Sequence, residues 1–440
     1  MDFITLVCNR GDSHSEIALV MNTKIAVFGA GTSGQSVADL AGAEGSSVTL
    51  FDERKVGFPS TFSYADIENF DQYIFSPGFP CGHPWRKLLE GREAVYGELG
   101  FAAERWQGRL YGVTGTNGKT TVTRLLQSVL AASGFEAIAV GNIGRPLSDL
   151  VNSSVNYSGA IAVCEISSFQ AEWTRGLELD GLIWTNFAED HLDHHRNGNE
   201  YFQAKLNLLH RTKKGAPIFI GDVLTDTKSA DFWRSLGAKK IDCTSAVTGA
   251  LLSRDSVFAR VPQSLNFPLV SAFVDALGLS QSVLSEQAES FQLDPYRLSL
   301  IAERGRLRIW QDSKSTNAHS VAGALRAMGE RVFWIGGGFS KGTDISAFAA
   351  ALGSRLEQVY AYGSVGEPLS QAFSLQGIPS WAFQKLEDAV RACMDSARAA
   401  DGDAPIDILF SPGFASQDQF TSYHSRGKFF ETIIFSLLND

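Results

Sequence analysis

GVTGTNGKTT, Gly112 to Thr121, is the stretch that decides how this chain folds. An apolar lead-in with Leu110 and Val113 runs into closely spaced glycines, then Lys119, Thr120 and Thr121. Beyond it, VTRLLQSVLAASG carries Val122, Leu125, Leu126, Val129 and Leu130 at the spacing of one helical face and stops at Gly134. Strand, glycine turn, lysine, hydroxyl and helix together describe a phosphate cradle. Glycines let backbone N–H groups approach phosphate oxygens, the helix N-terminus adds positive potential, and Lys119 supplies a full charge. The Thr120 hydroxyl is placed to ligate the Mg²⁺ that travels with ATP. Gly115, Thr116, Asn117, Gly118, Lys119, Thr120 and Thr121 are therefore candidate ATP-binding residues. The eight-residue P-loop pattern wants its first glycine where Val113 stands, so the match is near rather than complete. The competing reading is a glycine turn that merely opens an ordinary helix.

Upstream, IAVFGAGTSGQSVADLAG reads as a strand, a GxGxxG turn at Gly29, Gly31 and Gly34, and a helix. A second strand, SVTLFD, ends in Asp52, the place where a Rossmann unit holds a ribose hydroxyl. A tight strand-to-helix turn with no ligand stays open. QYIFSPGFP reads as a further strand ending at Ser76, Pro77 and Gly78, and Glu98 follows in YGELGFAAERW. Residues 22–108 are expected to form a Rossmann-like N-terminal domain. Met21 immediately precedes the first strand, so residues 1–21 read as an unstructured extension or a misassigned start.

Downstream, residues 109–294 read as a central α/β domain of the P-loop ATPase type. GNIGRPL, Gly141 to Leu147, is a polar glycine turn after the strand AIAV. AIAVCEISSFQAE is a buried strand whose end delivers Glu165, Ser167, Ser168 and Gln170. A carboxylate at a strand tip beside a phosphate loop holds Mg²⁺ directly or through water. LIWTNFAEDHLDHH then presents Asn186, Glu189, Asp190, His191, Asp193, His194 and His195. That mix of ligands could hold zinc, but carboxylates, imidazoles and water beside ATP fit Mg²⁺ better. His194 and His195 read as a solvated loop. Lys205, in the amphipathic helix YFQAKLNLLHRT, reads from spacing alone as a surface lysine.

Residues 295–440 read as a second Rossmann-like α/β domain, C-terminal in the chain. Arg297 follows a proline turn, and the strand RLRIW ends in Asp312, Ser313, Lys314, Ser315, Thr316 and Asn317. A helix, the strand RVFWIGGG and a loop carrying Lys341 follow, and IDILFSPGFASQDQF ends in a second serine-rich turn. Strands that each close in a polar loop place the ligand edge at their C-terminal ends.

Composition bounds the function. The chain has 440 residues and a formal net charge of −10, with no long basic run, which argues against nucleic acid as a partner. The five cysteines, Cys8, Cys81, Cys164, Cys243 and Cys393, are scattered without metal spacing, the pattern of reduced thiols in a cytoplasmic protein. No apolar run reaches transmembrane length, so no membrane partner is expected. One complete set of site residues is compatible with a monomer.

GTNGKTT, GNIG, EISSFQAE, NFAEDHLDH, YFQAKL, PYR, DSKSTN and SPGFASQDQF occur in this order. The series resembles the Mur ligases, the ATP-dependent amide-forming enzymes of peptidoglycan precursor synthesis, over nearly everything after Met21. EISSFQ, DSKSTN and ASQDQF are most similar to the glutamate-adding branch. The resemblance implies addition of D-glutamate to UDP-N-acetylmuramoyl-L-alanine through an acyl phosphate, with ATP and Mg²⁺. It implies that Lys119, Glu165, His191 and Lys205 form the catalytic group. Thr120, Glu165, His191 and a carbamylated Lys205 would be the metal ligands. It places Asn266, Arg297, Asp312 and Lys314 among the ATP contacts, and the UDP substrate on Thr32, Ser33, Asp52, Arg54, Ser76, Gly78, Asn142, Ser167 and Gln170. The incoming glutamate falls to Thr316, Lys341, Ser416 and Tyr423.

Three features depart from that pattern. A usual His-Asn-x-x-Asn stretch reads PQSLN here, keeping Asn266 with Gln263 in the earlier asparagine's place. The chain is shortened between about Asp222 and Pro262, and Tyr423 stands where phenylalanine is usual. Other amino acids, including L-glutamate, and a folylpolyglutamate-synthase-like activity share much of the series. A nicotinamide oxidoreductase built on GAGTSG would leave Lys119 and Glu165 without work. A non-catalytic nucleotide-binding regulator would have no use for Lys119, Thr120, Glu165, His191 and Lys205 together.

Overall fold

The computed structural model describes residues 23–439 except 81, 189, 192, 193, 222, 223, 225–229, 244–251, 254, 255 and 341. The expected extension 1–21, together with Glu189, Asp193 and Lys341, lies outside the described residues. Among the described residues three sheets form, all of them dominated by parallel pairs.

The first sheet contains β1 (Lys24–Phe28), β2 (Ser47–Phe51), β3 (Gln72–Phe75) and β4 (Val95–Gly97), in the order β2-β1-β3-β4. Every pairing in it is parallel, because each connection crosses over through helix or loop. The helix Thr32–Ala43 starts at the glycine turn. A Cβ on Gly34 would lie 1.7 Å from the Gly29 carbonyl oxygen, so only glycine lets that helix pack so close to the end of β1.

The second sheet takes β5 (Arg109–Thr114), β6 (Ala137–Gly141), β7 (Ile161–Glu165), β8 (Gly181–Trp184), β9 (Ile218–Gly221) and β10 (Ala238–Ile241). Their order is β10-β9-β8-β5-β7-β6, again parallel throughout. β7 and β8 flank β5 and are buried along their whole length, which is why they read as continuous apolar runs. The helix Lys119–Ala132 buries Val122, Leu125, Leu126, Val129 and Leu130, the face its spacing marks out.

The third sheet is β11 (Ser299–Arg304), β12 (Leu307–Gln311), β13 (Arg331–Gly337), β14 (Gln358–Tyr362), β15 (Ser380–Phe383) and β16 (Ile406–Gly413), ordered β11-β12-β16-β13-β14-β15. β11 pairs antiparallel with β12 and the rest are parallel. The sequence pattern missed β11, whose side chains are half-buried or exposed along an edge. Alternation splits the strands cleanly. Phe333, Ile335, Tyr360, Ile408 and Phe410 pack on one face, and Val332, Trp334, Val359, Ala361 and Leu409 on the other. That is a doubly wound sheet with helices on both sides.

Contacts divide the chain into two units. One holds the first two sheets, up to Phe187 with Asn199–Ile241 and Leu269–Leu284; the other holds the third sheet with Ala188–Gly198 and Asp242–Pro268. No helix of the described residues is long and apolar enough to cross a membrane.

Candidate active site

In the first unit the site grows from the end of β5. Gly115 has φ +146°, and a Cβ there would lie 1.9 Å from Thr185 Oγ1, so the turn requires glycine. The residues just after β8 hold the loop in place. Asn117 N–H donates to Asn186 Oδ1 (2.9 Å), Asn186 Nδ2 donates back to Asn117 O (3.1 Å), and Thr185 Oγ1 donates to Asn117 O (2.6 Å). Lys119 folds over the loop and donates Nζ to the carbonyls of Gly115 and Thr116, both at 3.0 Å. An ammonium resting on carbonyls is poised to exchange them for phosphate oxygens.

Glu165 closes β7 and is 1% exposed. Its carboxylate is held by neutral donors, Thr120 Oγ1 at 2.7 Å on one oxygen and Asn142 Nδ2 at 2.7 Å on the other. A buried carboxylate with only neutral partners is a hard-oxygen ligand short of counter-charge, and that fits Mg²⁺. Asn142, expected at the acceptor substrate, therefore also orients the carboxylate.

Lys205 overturns the surface reading. It is 1% exposed, because the helix Gly198–His210 also buries Tyr201, Phe202, Ala204, Leu206, Leu208 and Leu209 and has little free face. Its Nζ donates to Gly115 O at 3.0 Å and Thr114 Oγ1 at 3.4 Å, and lies 4.7 Å from the Tyr201 ring centre. Thus Lys119, Thr120 and Lys205 converge on one loop, with Glu165 beside it. Tyr201, whose hydroxyl lies 3.1 Å from Thr116 Oγ1, belongs there too, and the sequence reading did not single it out.

The expected UDP-substrate residues lie in the same unit. Asp52 accepts from the N–H groups of Ala30 (2.8 Å), Arg54 (2.9 Å) and Lys55 (3.0 Å). Desolvation pushes its carboxyl up, but those bonds and the Lys55 charge outweigh it and hold the group below its usual range. Ser76 Oγ donates to Gly29 O at 3.2 Å, tying β3 to the glycine turn. Thr32, Arg54 and Gly78 are exposed and Ser33 half-buried. Ser167 and Gln170 form a capping box, each side chain engaging the other's backbone. Glu98, which sequence alone gave no role, is 2% exposed and accepts from Ser148 N–H (2.8 Å) and Oγ (2.7 Å). Burial pushes its carboxyl up.

The second unit holds the other residues. Thr316, Ser416 and Tyr423 line one cavity of about 680 Å³, together with Asp190, His191, Asn317 and His319. His191 has φ +56° and donates its N–H to Asp190 Oδ1 at 2.8 Å, while Asn317 Nδ2 donates to Asp190 Oδ2 at 2.8 Å. His195 corrects the solvated-loop reading, being 1% exposed, and His194 is half-buried. Lys314 Nζ sits 3.9 Å above the Tyr423 ring, a contact that phenylalanine would also offer. Asp312 is buried and accepts from Ser411 Oγ at 2.8 Å. Desolvation raises its carboxyl to about 7, opposed by Ser411, Arg297, the Leu298 N–H and Arg426. Arg297 also lies 3.7 Å from Asp294. In the altered PQSLN segment Asn266 Nδ2 donates to Gln263 Oε1 at 3.0 Å, so the replacement glutamine now partners the retained asparagine.

A glycine-rich loop at the end of a parallel strand, with two lysines on it and a buried carboxylate beside it, has the make-up of a phosphate-handling α/β enzyme. Residues 113–251 match the model of the Mur ligase middle domain. The UDP-N-acetylmuramoylalanine–D-glutamate ligase of Chlamydia pneumoniae is 30% identical over 435 residues, covering 94% of this chain and 98% of the relative. The enzyme of the same name from Zymomonas mobilis is 31% identical over 388 residues, covering 85% and 84%. Among solved structures, the MurF ligase of Thermotoga maritima in complex with ADP superposes with a TM-score of 0.56 at 13% identity, covering 94% of both chains. The chain belongs to the Mur ligase family.

Proposed function

We propose that this chain is an ATP-dependent ligase that joins D-glutamate to UDP-N-acetylmuramoyl-L-alanine in peptidoglycan precursor synthesis. The observation that carries the reading is Glu165, buried and bridged by Thr120 and Asn142 beside the loop that Lys119 and Lys205 both touch. Relatives of that name at 30% and 31% identity supply the substrates. Residues 22–108 take the UDP end of the acceptor, 109–294 take ATP, and 295–440 take the amino acid. ATP use is supported by the phosphate cradle and by the ADP held in the MurF structure.

The reaction runs in two displacements. A carboxylate oxygen of the acceptor's alanine attacks the γ-phosphorus, the bond to the β-phosphate oxygen breaks, and ADP leaves. The glutamate amine then attacks the acyl carbon of the acyl phosphate, the tetrahedral intermediate expels phosphate, and the nitrogen gives up a proton. Lys119 exchanges its two carbonyl partners for phosphate oxygens, and the N–H groups of residues 115–121 surround the same phosphates. Thr120, Glu165, His191 and Lys205 are the residues that would hold Mg²⁺. When bound, that ion offsets the charge of two anions brought together. Lys205 would serve as a ligand once its ammonium gives up one proton and the free amine bonds to the carbon of CO₂ and loses a second, which turns the cation into a carbamate anion. Asn266, Arg297, Asp312 and Lys314 handle the nucleotide. Thr316, Lys341, Ser416 and Tyr423 receive glutamate, a cation and hydroxyls suiting a dicarboxylate. The enzyme works as a cytoplasmic monomer on small molecules, with neither nucleic acid nor membrane as partner.

Phosphate release from ATP with UDP-N-acetylmuramoyl-L-alanine tests this, comparing D-glutamate, L-glutamate and no amino acid. Release that requires both the acceptor and D-glutamate, with a new amide product, is expected. Turnover with L-glutamate alone, or none, overturns the assignment.

A further inference from the structure

Arg426 is fully buried in the first turns of the helix Tyr423–Asn439. Its guanidinium donates Nε to Ser313 Oγ (3.1 Å), Nη2 to Ser313 O (2.8 Å) and Nη1 to Phe414 O (3.0 Å). No ion pair is recorded for it among the described residues, so its charge is solvated chiefly by these backbone and hydroxyl oxygens. A desolvated cation whose direct partners are all neutral oxygens, and whose charge reaches the buried Asp312 carboxyl only through space, is costly, and it persists only where the groups around it are held in place. The planar fork makes those groups mutually dependent, because one rigid plane must satisfy acceptors from separate segments.

The segments concerned are those that build the amino-acid cavity. Ser313 lies in the loop that ends in Thr316, Phe414 in the turn that leads to Ser416, and Arg426 follows Tyr423 on the helix. Ser313 extends the tie by donating Oγ to Tyr423 O at 2.9 Å. Gln311 completes it, accepting from Ser313 N–H at 3.0 Å and donating Nε2 to Gly427 O at 3.0 Å. We propose that Arg426 is the positioning residue of the amino-acid site, locking the Ser313–Thr316 loop, the Phe414–Ser416 turn and Tyr423 into one register. It touches no substrate itself. The proposal rests on the amino-acid reading of that cavity.

The test is steady-state kinetics of Arg426→Lys and Arg426→Gln, with melting temperatures, against wild type. Arg426→Lys keeps the charge and loses the fork. Its KM for D-glutamate is expected to rise about tenfold, and further in Arg426→Gln, while KM for the UDP-linked acceptor stays within about twofold. Ser313→Ala, a smaller change, should move the D-glutamate KM the same way by about threefold if the arginine variants fail to fold. A fall in kcat and melting temperature with every KM unchanged would mean a role in stability alone and would overturn the proposal. A wild-type enzyme that shows no dependence on D-glutamate overturns the functional reading, and the proposal with it. Wild-type dependence with unchanged variant KM values overturns only the proposal.

Discussion

In the proposed reaction Lys205 concentrates the chemistry of the first unit in a single side chain. Its amine reaches Gly115 O, on the loop that also anchors Lys119, so two cations bear on one carbonyl. Converting one of them to a carbamate replaces that repulsion with an anionic ligand facing the cation of the loop. Lys205→Ala and Lys205→Arg are both expected to lose about a hundredfold or more in kcat/KM, since neither side chain can form the carbamate. The arginine variant separates charge from carbamate chemistry. Near-wild-type activity of either variant in bicarbonate-free buffer would remove Lys205 from the metal site.

At the level of the element, the first glycine turn shows that equal letters in a motif carry unequal physical weight. A Cβ on Gly34 would collide with the Gly29 carbonyl, whereas one on Gly31 meets nothing within 4 Å, and Gly31 has an ordinary φ of −78°. Gly34→Ala must push the helix Thr32–Ala43 off the end of β1 and is expected to cost ~2 kcal/mol or more. Thermal melting should place Gly31→Ala close to wild type and Gly34→Ala well below it. Equal melting temperatures would show that the turn relaxes freely. The helix Gly198–His210 makes a related point. Its periodic face was legible, and Lys205 lies within it among Tyr201, Ala204 and Leu208; what spacing could not show is that Thr114 and Gly115 supply the oxygens that let an ammonium sit there.

For the molecule as a whole, the division into two compact units predicts unfolding in more than one step. Asp312 couples the second unit to pH. Its folded-state value is raised from 3.8 to about 7, chiefly by desolvation, so the folded unit favours the protonated carboxyl. That contribution is complete below pH 3.8, declines as pH rises through about 7, and is absent above it. Asp312→Asn keeps an acceptor for the Ser411 hydroxyl and removes the titration. The melting temperature of the variant is therefore expected to gain on wild type as pH increases between those values. A constant difference across the range would show an ordinary carboxyl.

The order of motifs, the strands that each end in a polar loop and the helical spacing after Gly118 were enough to specify three α/β regions and to place the glycine-rich loop. Such features are local, set by backbone freedom at glycine and by apolar spacing within one segment. The edge strand β11 escaped because a half-exposed strand has little apolar contrast to read. Likewise the burial of Lys205 and His195, the Asn142–Glu165 bond, the Glu98–Ser148 pair and the Arg426 fork all join residues distant in the chain. Which polar group meets which is decided when sheets and loops pack, because a buried charge or amide takes whatever partner the fold brings within reach.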